Sequence, residues 1–600
     1  MKKKVSDIVI DFLVEKGIYD VFLLTGGGIM HLTDSLANSK KVNYTCNYHE
    51  QASAIAAEGY ARVTNKPAVC MSTIGPGIAN ALSGAIGAWH DSIPIILICG
   101  QVKSEIKADF TKIRQRGPQE ADILSIAKSI TKYAVSVTNP NSVKYELEKA
   151  YDISINGRPG PVLIEIPLDI QASIVESEDL FVYKFVKEKF EISHEDRNNV
   201  IKVLNYIRNS SFPILFPGNG IKLANAFNEW KQFYDLLKMP CVLPLTGKDL
   251  LPDNYEYNLG IIGTLGQRRA NFAVQNSDCF ISLASGINLS KIGFNVNGFA
   301  PNAKKIILDI DHGQIYYQAF APDFGIEMDV KLFLKIAIEE LKQNPIRINQ
   351  KWLDVCKFWK EKYKIITPDF FFDLNHVNMY VFHDIISNLC DNDSIIVSGN
   401  GMEAQSLFQS FKNKEGQKIL IPGNWGAMGW DLPTAVGAAT YAKKHKKKVI
   451  LITGDGSIML NIQELLTIKY HNLPIKIFIF NNKGYALIRT TQETLLNNNL
   501  IGSDKDTGVV NPDFKLLADS FSIKYDSINT NDEIEKKLIK ILSSNEQIIC
   551  EVNISYNAKV VPKSIAYKNS DGILESKPLE DMYPFLPKEE IEMNMNLIKN

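Results

Sequence analysis

KVILITGDGS, residues 448–457, and IKIFIFNNKGY, residues 475–485, decide how the chain is read. Each opens on a short apolar run of the kind found in strands covered on both faces of a parallel sheet. The stretch from Asn461 to Tyr470 between them reads as a helix, so the whole is one βαβ unit. In such a unit the carboxyl ends of both strands reach the same edge, and Asp455 and Asn482 meet there although far apart in sequence. The rhythm repeats outward. Lys66 to Thr73 leads through Gly75-Pro76-Gly77 into a small-residue helix, and residues 161–167, PVLIEIP, close a first unit. Residues 213–217 (PILFP), 279–283 (CFISL) and 305–310 (KIILDI) do the same in the middle third. The fold class is α/β, with three doubly wound parallel-sheet domains of about 150–180 residues each.

The edge formed by the quoted stretch suits a metal and an anion. Asp455 offers a carboxylate, Asn482 an amide oxygen and Gly484 a backbone carbonyl. Mg²⁺ takes a few such hard oxygens from protein and the rest from phosphate and water. Gly454 and Gly456 let backbone approach a diphosphate, and the start of the following helix, after Ser457, favours its charge. Gly-Asp-Gly alone reads as a turn; strand, helix, strand and paired asparagines together point to the metal. Gly454-Asp455-Gly456 with Asn481-Asn482 resembles the thiamine-diphosphate signature, and the resemblance, over about residues 4–560, is to acetolactate synthase-like enzymes. It implies a pyrimidine-binding domain (1–175), a central domain (190–343), a diphosphate- and Mg-binding domain (376–560) and a C-terminal tail (561–600). The segments 176–196 and 344–378 read as linkers. Because the two cofactor-binding domains of such enzymes usually come from different subunits, a homodimer or homotetramer with the active site between subunits is implied.

In the first domain, Tyr48-His49-Glu50-Gln51 precedes a helix of small residues. A Glu in the first turn of a helix ordinarily complements its dipole. The resemblance implies more: this glutamate holds the cofactor's pyrimidine ring and activates it, and Glu50 is the first candidate for a catalytic residue. Residues 73–80, TIGPGIAN, resemble the family's segment beside the pyrimidine, and the resemblance places Gly26, Thr73, Pro76 and Asn80 in the cofactor set. Residues 424–429, NWGAMG, match a motif whose methionine supports the bent cofactor, which adds Gly426 and Met428. Gly401, Met402 and Glu403 fall where the family cradles the diphosphate, with Glu403 at a position often held by histidine. Ser457 and Tyr485 complete the set with Gly454, Asp455, Gly456, Asn482 and Gly484.

Residues 114–120, RQRGPQE, resemble a loop of the synthases that carries a phenylalanine–glutamine–glutamate run. Gln119 is the second catalytic candidate, and Pro118 stands where the phenylalanine would be. Thr491 holds the place of a tryptophan near the acceptor. Two missing aromatics widen the acceptor site. The expected reaction is decarboxylation of a 2-oxo acid, pyruvate by default, with transfer of the hydroxyethyl unit to a carbonyl acceptor. Acetolactate formation is the family default, and a larger acceptor such as a keto-sugar nucleotide is the sharper form. The alternatives are a simple 2-oxo acid decarboxylase releasing an aldehyde, or a non-catalytic paralogous subunit, which retention of Glu50, Asp455 and Asn482 argues against. His90 is single, and a lone histidine is usually structural or solvent-facing. FAD is in doubt, because residues 285–291, SGINLSK, lack the charged stretch of the FAD-binding synthases.

Composition bounds the rest. A chain of 600 residues is too long for one core. With 66 basic against 67 acidic residues there is no charge excess to suggest a nucleic acid or a membrane surface as partner. The basic start is followed by Asp7, Asp11 and Glu15, which interrupt any signal-peptide core and leave an amphipathic helix with Val5, Ile8, Phe12 and Leu13 on one face. No apolar run of about 18 residues reads as a membrane span. The eight cysteines form no CxxC pair, and buried free thiols in a reducing cytoplasm are expected.

Overall fold

The structure is a computed structural model that describes residues 1–185, 192–568 and 574–597. Residues 186–191 of the expected first linker, and 569–573 and 598–600 of the expected tail, lie outside the described residues. Three six-stranded sheets, every pairing parallel, dominate the molecule. The first holds β1 (Asp20–Leu23), β2 (Asn43–Cys46), β3 (Ala68–Ser72), β4 (Ile95–Gln101), β5 (Tyr133–Ser136) and β6 (Val162–Pro167), in the order β2-β1-β3-β4-β6-β5. The second holds β7 (Pro213–Pro217), β8 (Cys241–Leu243), β9 (Asn258–Ile261), β10 (Cys279–Leu283), β11 (Lys304–Asp309) and β12 (Phe324–Glu327), in the order β9-β8-β7-β10-β11-β12. The third holds β13 (Ile395–Ser398), β14 (Lys418–Leu420), β15 (Val449–Gly454), β16 (Ile475–Asn481), β17 (Lys524–Ile528) and β18 (Ile548–Asn553), in the order β14-β13-β15-β16-β18-β17.

In all three sheets the chain first steps to one side of its starting strand and then crosses to the other. Each sheet therefore has a topological switch point, where strand ends diverge and leave a crevice for a ligand. The switch points fall between β1 and β3, between β7 and β10, and between β13 and β15. The central strands are buried along their length (Ile95–Gln101, Ile475–Asn481), which is why they are apolar without alternation.

The first and third sheets meet through helices α1 (Glu50–Thr64), α2 (Pro76–Asp91) and, from the third, α3 (Asp431–Lys444). α1 and α3 are rich in buried alanine and cross closely: a Cβ on Gly59 would lie 2.5 Å from the Thr434 carbonyl oxygen, and one on Gly437 1.9 Å from that of Ala56. Two glycines at the crossing let backbone meet backbone, and the approach carries Glu50 at the head of α1 into position. Lys444 adds an ion pair of 2.6 Å to the buried Asp20.

The segments read as linker and tail pack on the central unit. Helix Gln350–Lys362 buries Trp352, Cys356 and Trp359 against it. Beyond residue 573 the chain buries Leu579 and Met582, the Leu579 carbonyl accepting a bond from Asn271 (2.9 Å), and Asn594 accepts one from the Trp359 indole (2.9 Å). No helix among the described residues is long and apolar enough to cross a membrane. Seven of the eight cysteines are buried free thiols, and Cys46 is exposed.

Candidate active site

At the switch point of the first sheet, the chain leaves β1 through Gly26 and β3 through Thr73. The Thr73 hydroxyl accepts the Gly28 N–H at 3.0 Å, and a Cβ on Gly26 would lie 2.6 Å from Thr73 Cβ. Glu50 faces this crevice from the head of α1 and is 8% exposed. Its Oε2 accepts from Asn80 Nδ2 at 3.1 Å, while a Cβ on Gly77 would lie 3.1 Å from Oε1. Pro76 opens α2, its missing N–H costing nothing in the first turn. Gln119 is exposed in a left-handed conformation (φ 65°), with its backbone against Gly75, where a Cβ would meet the Gln119 carbonyl oxygen at 1.8 Å. Glu120 fixes that loop: it accepts from the backbone of Ala108 (2.8 Å), Arg116 (2.8 Å) and Gly117 (2.5 Å). Burial pushes its carboxyl up, but these donors outweigh it and hold the group below the usual range.

At the switch point of the third sheet, Gly399 to Glu403 follow β13 and Asp455 follows β15. Asp455 is 2% exposed. Its Oδ1 accepts from the Gly456 N–H (2.8 Å); its Oδ2 accepts from the Gly484 N–H (3.0 Å) and from Asn511 Nδ2 (2.7 Å). Burial pushes the carboxyl up to about 6, against the pull of these donors. Asn482 is buried beside it, and its amide oxygen has no hydrogen-bond partner among the described residues. Gly484 (φ 130°) passes so near Ser503 that a Cβ would lie 2.3 Å from the Ser503 carbonyl oxygen. Tyr485 lies across Gly456, whose Cβ would sit 2.2 Å from the ring.

Glu403 lies in the first turn of helix Met402–Ser410 and is 3% exposed. It lies behind the glycines: a Cβ on Gly401 would be 2.1 Å from its Oε2 and one on Gly454 3.3 Å. Its Oε1 has no partner among the described residues. Burial first, then the charges of Asp431 and Asp455, push its carboxyl up to about 8. The loop 424–429 lies against the same edge. Asn400 Nδ2 donates to the Gly426 carbonyl, Gly429 N–H donates to Ser457 Oγ (2.9 Å), and Asn461 Nδ2 donates to the Gly429 carbonyl (2.7 Å). Met428 is 39% exposed and free to meet a ligand. The helix expected over residues 461–470 is shorter, Glu464–Tyr470, preceded by a 3₁₀ turn at Ile458–Asn461. Ser457 and Asn461 are both committed to Gly429, which holds that turn apart from the helix.

Among the described residues, no hydrogen bond of Glu50, Thr73 or Asn80 reaches Asp455, Asn482 or Gly401. Their surroundings do touch, through Asn47 Nδ2 and the Tyr48 N–H, which donate to Glu464 at 2.7 and 2.9 Å. Thr491, on the helix Ala486–Leu495, and Pro118 are exposed. The switch point of the central sheet opens on a cavity of about 300 Å³ lined by Asn219, Gly220, Ser285, Lys291 and Asp309. There burial pushes the Asp309 carboxyl up to about 6.

Two crevices thus lie at carboxyl edges, one presenting a buried glutamate and the other a buried aspartate beside an amide oxygen that has no partner among the described residues. Residues 3–126 match the family model for the thiamine pyrophosphate enzyme N-terminal TPP binding domain, 200–336 that for the central domain, and 399–552 that for the C-terminal TPP binding domain. The chain belongs to the thiamine pyrophosphate enzyme family. It is acetolactate synthase-like. It is 31% identical over 571 residues to a probable acetolactate synthase large subunit of Methanocaldococcus jannaschii, covering 92% of each chain. It is 29% identical to the acetolactate synthase isozyme 2 large subunit of Escherichia coli (92% of this chain, 96% of the relative). The same identity relates it to the chloroplastic acetolactate synthase 2 of Nicotiana tabacum (93% and 83%).

In this thiamine pyrophosphate enzyme, the two TPP-binding domains carry the two sets of residues just described. Sequence reasoning missed Asn511, whose amide holds Asp455 from a loop beyond the βαβ unit. It also missed Asp91, which accepts from the backbone of Gly423 and Asn424, and Arg62, which donates to Asp91. An isolated asparagine or a helix-terminal aspartate carries no local signal of such contacts.

Proposed function

We propose that this enzyme decarboxylates a 2-oxo acid, with pyruvate the first candidate, and transfers the two-carbon hydroxyethyl unit to a carbonyl acceptor. The observation that carries this reading is the free amide oxygen of Asn482 beside Asp455 and Gly484. A buried oxygen without a donor is costly unless a cation completes it. These residues fit Mg²⁺: Asp455 would supply a carboxylate oxygen, Asn482 its amide oxygen and Gly484 its carbonyl. Gly401, Met402, Gly454, Gly456, Ser457 and Tyr485 would line the diphosphate. Glu403, protonated at neutral pH, would face it without charge repulsion. Gly426 and Met428 would support the middle of the cofactor, and Gly26, Thr73, Pro76 and Asn80 its pyrimidine.

Bound thiamine diphosphate supplies a nucleophilic carbon that adds to the 2-oxo acid and holds the electron pair left by departing CO₂. Glu50 would share a proton with a pyrimidine ring nitrogen of the bound cofactor, and Asn80, which donates to its Oε2, would set its orientation. Gln119, on the loop pinned by Glu120, orients the acceptor. Because the two cofactor-binding domains of such enzymes usually come from different subunits, we propose a homodimer or homotetramer with the active site between subunits. Pro118 and Thr491 leave the acceptor side open, and Arg114 and Arg116 stand exposed on the same loop. These features favour a large anionic acceptor, such as a keto-sugar nucleotide, over a second pyruvate. No flavin is assigned to the central cavity, which Asp91, Arg158, Lys291, Asp309 and Asp329 line with charge.

The test is CO₂ release from pyruvate with thiamine diphosphate and Mg²⁺, with the carbon product identified by mass spectrometry. A ligated product with an added keto-sugar nucleotide is expected. Acetolactate alone would refute the large acceptor, acetaldehyde alone the transfer, and no CO₂ with or without acceptor the choice of pyruvate.

A further inference from the structure

Asp91 ends α2, at the far end of that helix from Asn80. Its carboxylate points into the third domain, accepting the Gly423 N–H at 2.8 Å and the Asn424 N–H at 3.2 Å. It also accepts from Arg62 Nη2 at 2.5 Å, and Arg62 donates through Nε and Nη2 to Glu58 Oε1 at 2.9 and 2.7 Å. The three side chains are buried: 7% of Arg62, 0% of Glu58 and 5% of Asp91 remain exposed. The Arg62 guanidinium also lies 5.3 Å from the centre of the Trp430 ring. Next to Asp91, the His90 ring stacks on Trp425, centroids 5.2 Å apart and planes 7° from parallel. The stretch 423–430 is thus gripped by the first domain at both ends and at Trp425. Gly423 makes the grip possible, since a Cβ there would lie 2.3 Å from Asp91 Oδ1.

The arrangement is energetically selective. A buried carboxylate that takes two backbone N–H groups and a guanidinium is satisfied only while the loop stays in place. Withdrawing the loop would leave buried acceptor sites on a charged group unfilled, the costly case for hydrogen bonds and ion pairs alike. Burial pushes the Glu58 carboxyl up despite its contact with Arg62, and the charges of both Glu58 and Asp91 favour the Arg62 guanidinium. Resting on the assignment of Met428 and Gly426 to the cofactor, we propose that Asp91, backed by Arg62, is a positioning residue that holds the 423–429 loop in its binding shape. It thereby sets the affinity for thiamine diphosphate.

The experiment is isothermal titration of thiamine diphosphate into the metal-saturated full-length protein, wild type against Asp91→Asn. Asparagine turns one acceptor into a donor facing an N–H, and the Kd should rise about 10- to 100-fold, the range for residues that orient direct ligands. The kcat at saturating cofactor should stay near wild type. Lys444→Met is the control, since it breaks another bridge between the first and third domains, to Asp20, without touching the loop. An unchanged Kd in Asp91→Asn, or an equal rise in Lys444→Met, would overturn the proposal. If Asp91→Asn does not fold, Arg62→Lys keeps the charge but loses the fork, and should raise the Kd less but in the same direction; no change there would overturn it equally. A wild-type protein that binds no thiamine diphosphate would overturn the functional reading, and this proposal with it.

Discussion

Replacing Glu403 by Gln should make the cofactor-free protein more stable at alkaline pH and leave it unchanged at acid pH. The Glu403 carboxyl is pushed from 4.5 to about 8, first by burial and then by the neighbouring charges of Asp431 and Asp455. Between those values the folded state holds a proton that the unfolded chain has released. Stability therefore falls as pH rises from about 4.5 to about 8, and levels beyond. At about 1.4 kcal/mol per pH unit the full loss is at most about 5 kcal/mol. Water entry and side-chain relaxation reduce that, and about 2–3 kcal/mol is a fair expectation. For one domain of this size that corresponds to about 5–10 °C in Tm. Glutamine keeps the shape without the ionisation. The assay is scanning calorimetry of the EDTA-stripped protein at pH 5 and pH 8.5. The variant and wild type should melt together at pH 5 and separate by at least about 4 °C at pH 8.5, the variant higher. Asp309, pushed up to about 6, acts with the same sign in both proteins and cancels in the comparison, whereas Asp455 loses the repulsion of the Glu403 charge in the variant and adds to the gain in the same direction. Parallel pH profiles would refute the reasoning and return Glu403 to an ordinary ionised carboxylate.

Three further outcomes are expected. Glu50→Gln should bind thiamine diphosphate with a Kd within a few-fold of wild type, while kcat drops by about 10²-fold or more, as for loss of a proton-transfer group; undiminished turnover would remove Glu50 from the chemistry. Asn482→Leu replaces an unsatisfied buried oxygen with an apolar group, so metal-free Tm should hold or rise while the increase on adding Mg²⁺ disappears. A retained Mg²⁺ response would take Asn482 out of the metal site. Gly437→Ala drives a methyl into the Ala56 carbonyl at 1.9 Å and should cost about 1–3 kcal/mol, seen as a Tm loss of several degrees. A neutral result would show that α1 and α3 can separate without penalty.

How much was legible beforehand depended on the range of the interaction. Buried parallel strands announce themselves in apolar runs such as residues 475–480, because both faces are covered and no alternation survives. The Asp455–Asn482 pairing follows from the same runs, since a βαβ unit brings its carboxyl ends to one edge. Glycines at 456 and 484 mark close approaches, and a Cβ there would strike the Tyr485 ring and the Ser503 carbonyl oxygen respectively. The polar, aromatic-rich segments after residues 343 and 560 misled, because Trp352, Trp359, Leu579 and Met582 find their partners on the central unit, far away in sequence.

By itself, then, the sequence determined the α/β class, the three-sheet organisation and the edge that collects Asp455, Asn482 and Gly484, since each rests on local periodicity and short-range topology. Tertiary structure alone decided that Asn511 donates to Asp455 and that Asp91, bonded to Arg62, accepts from the backbone of Gly423 and Asn424. It also decided that Glu403 is buried beside the cradle, where burial pushes its carboxyl up. These depend on which side chains long-range packing brings together and on how completely it removes them from water, and no window of sequence carries that information.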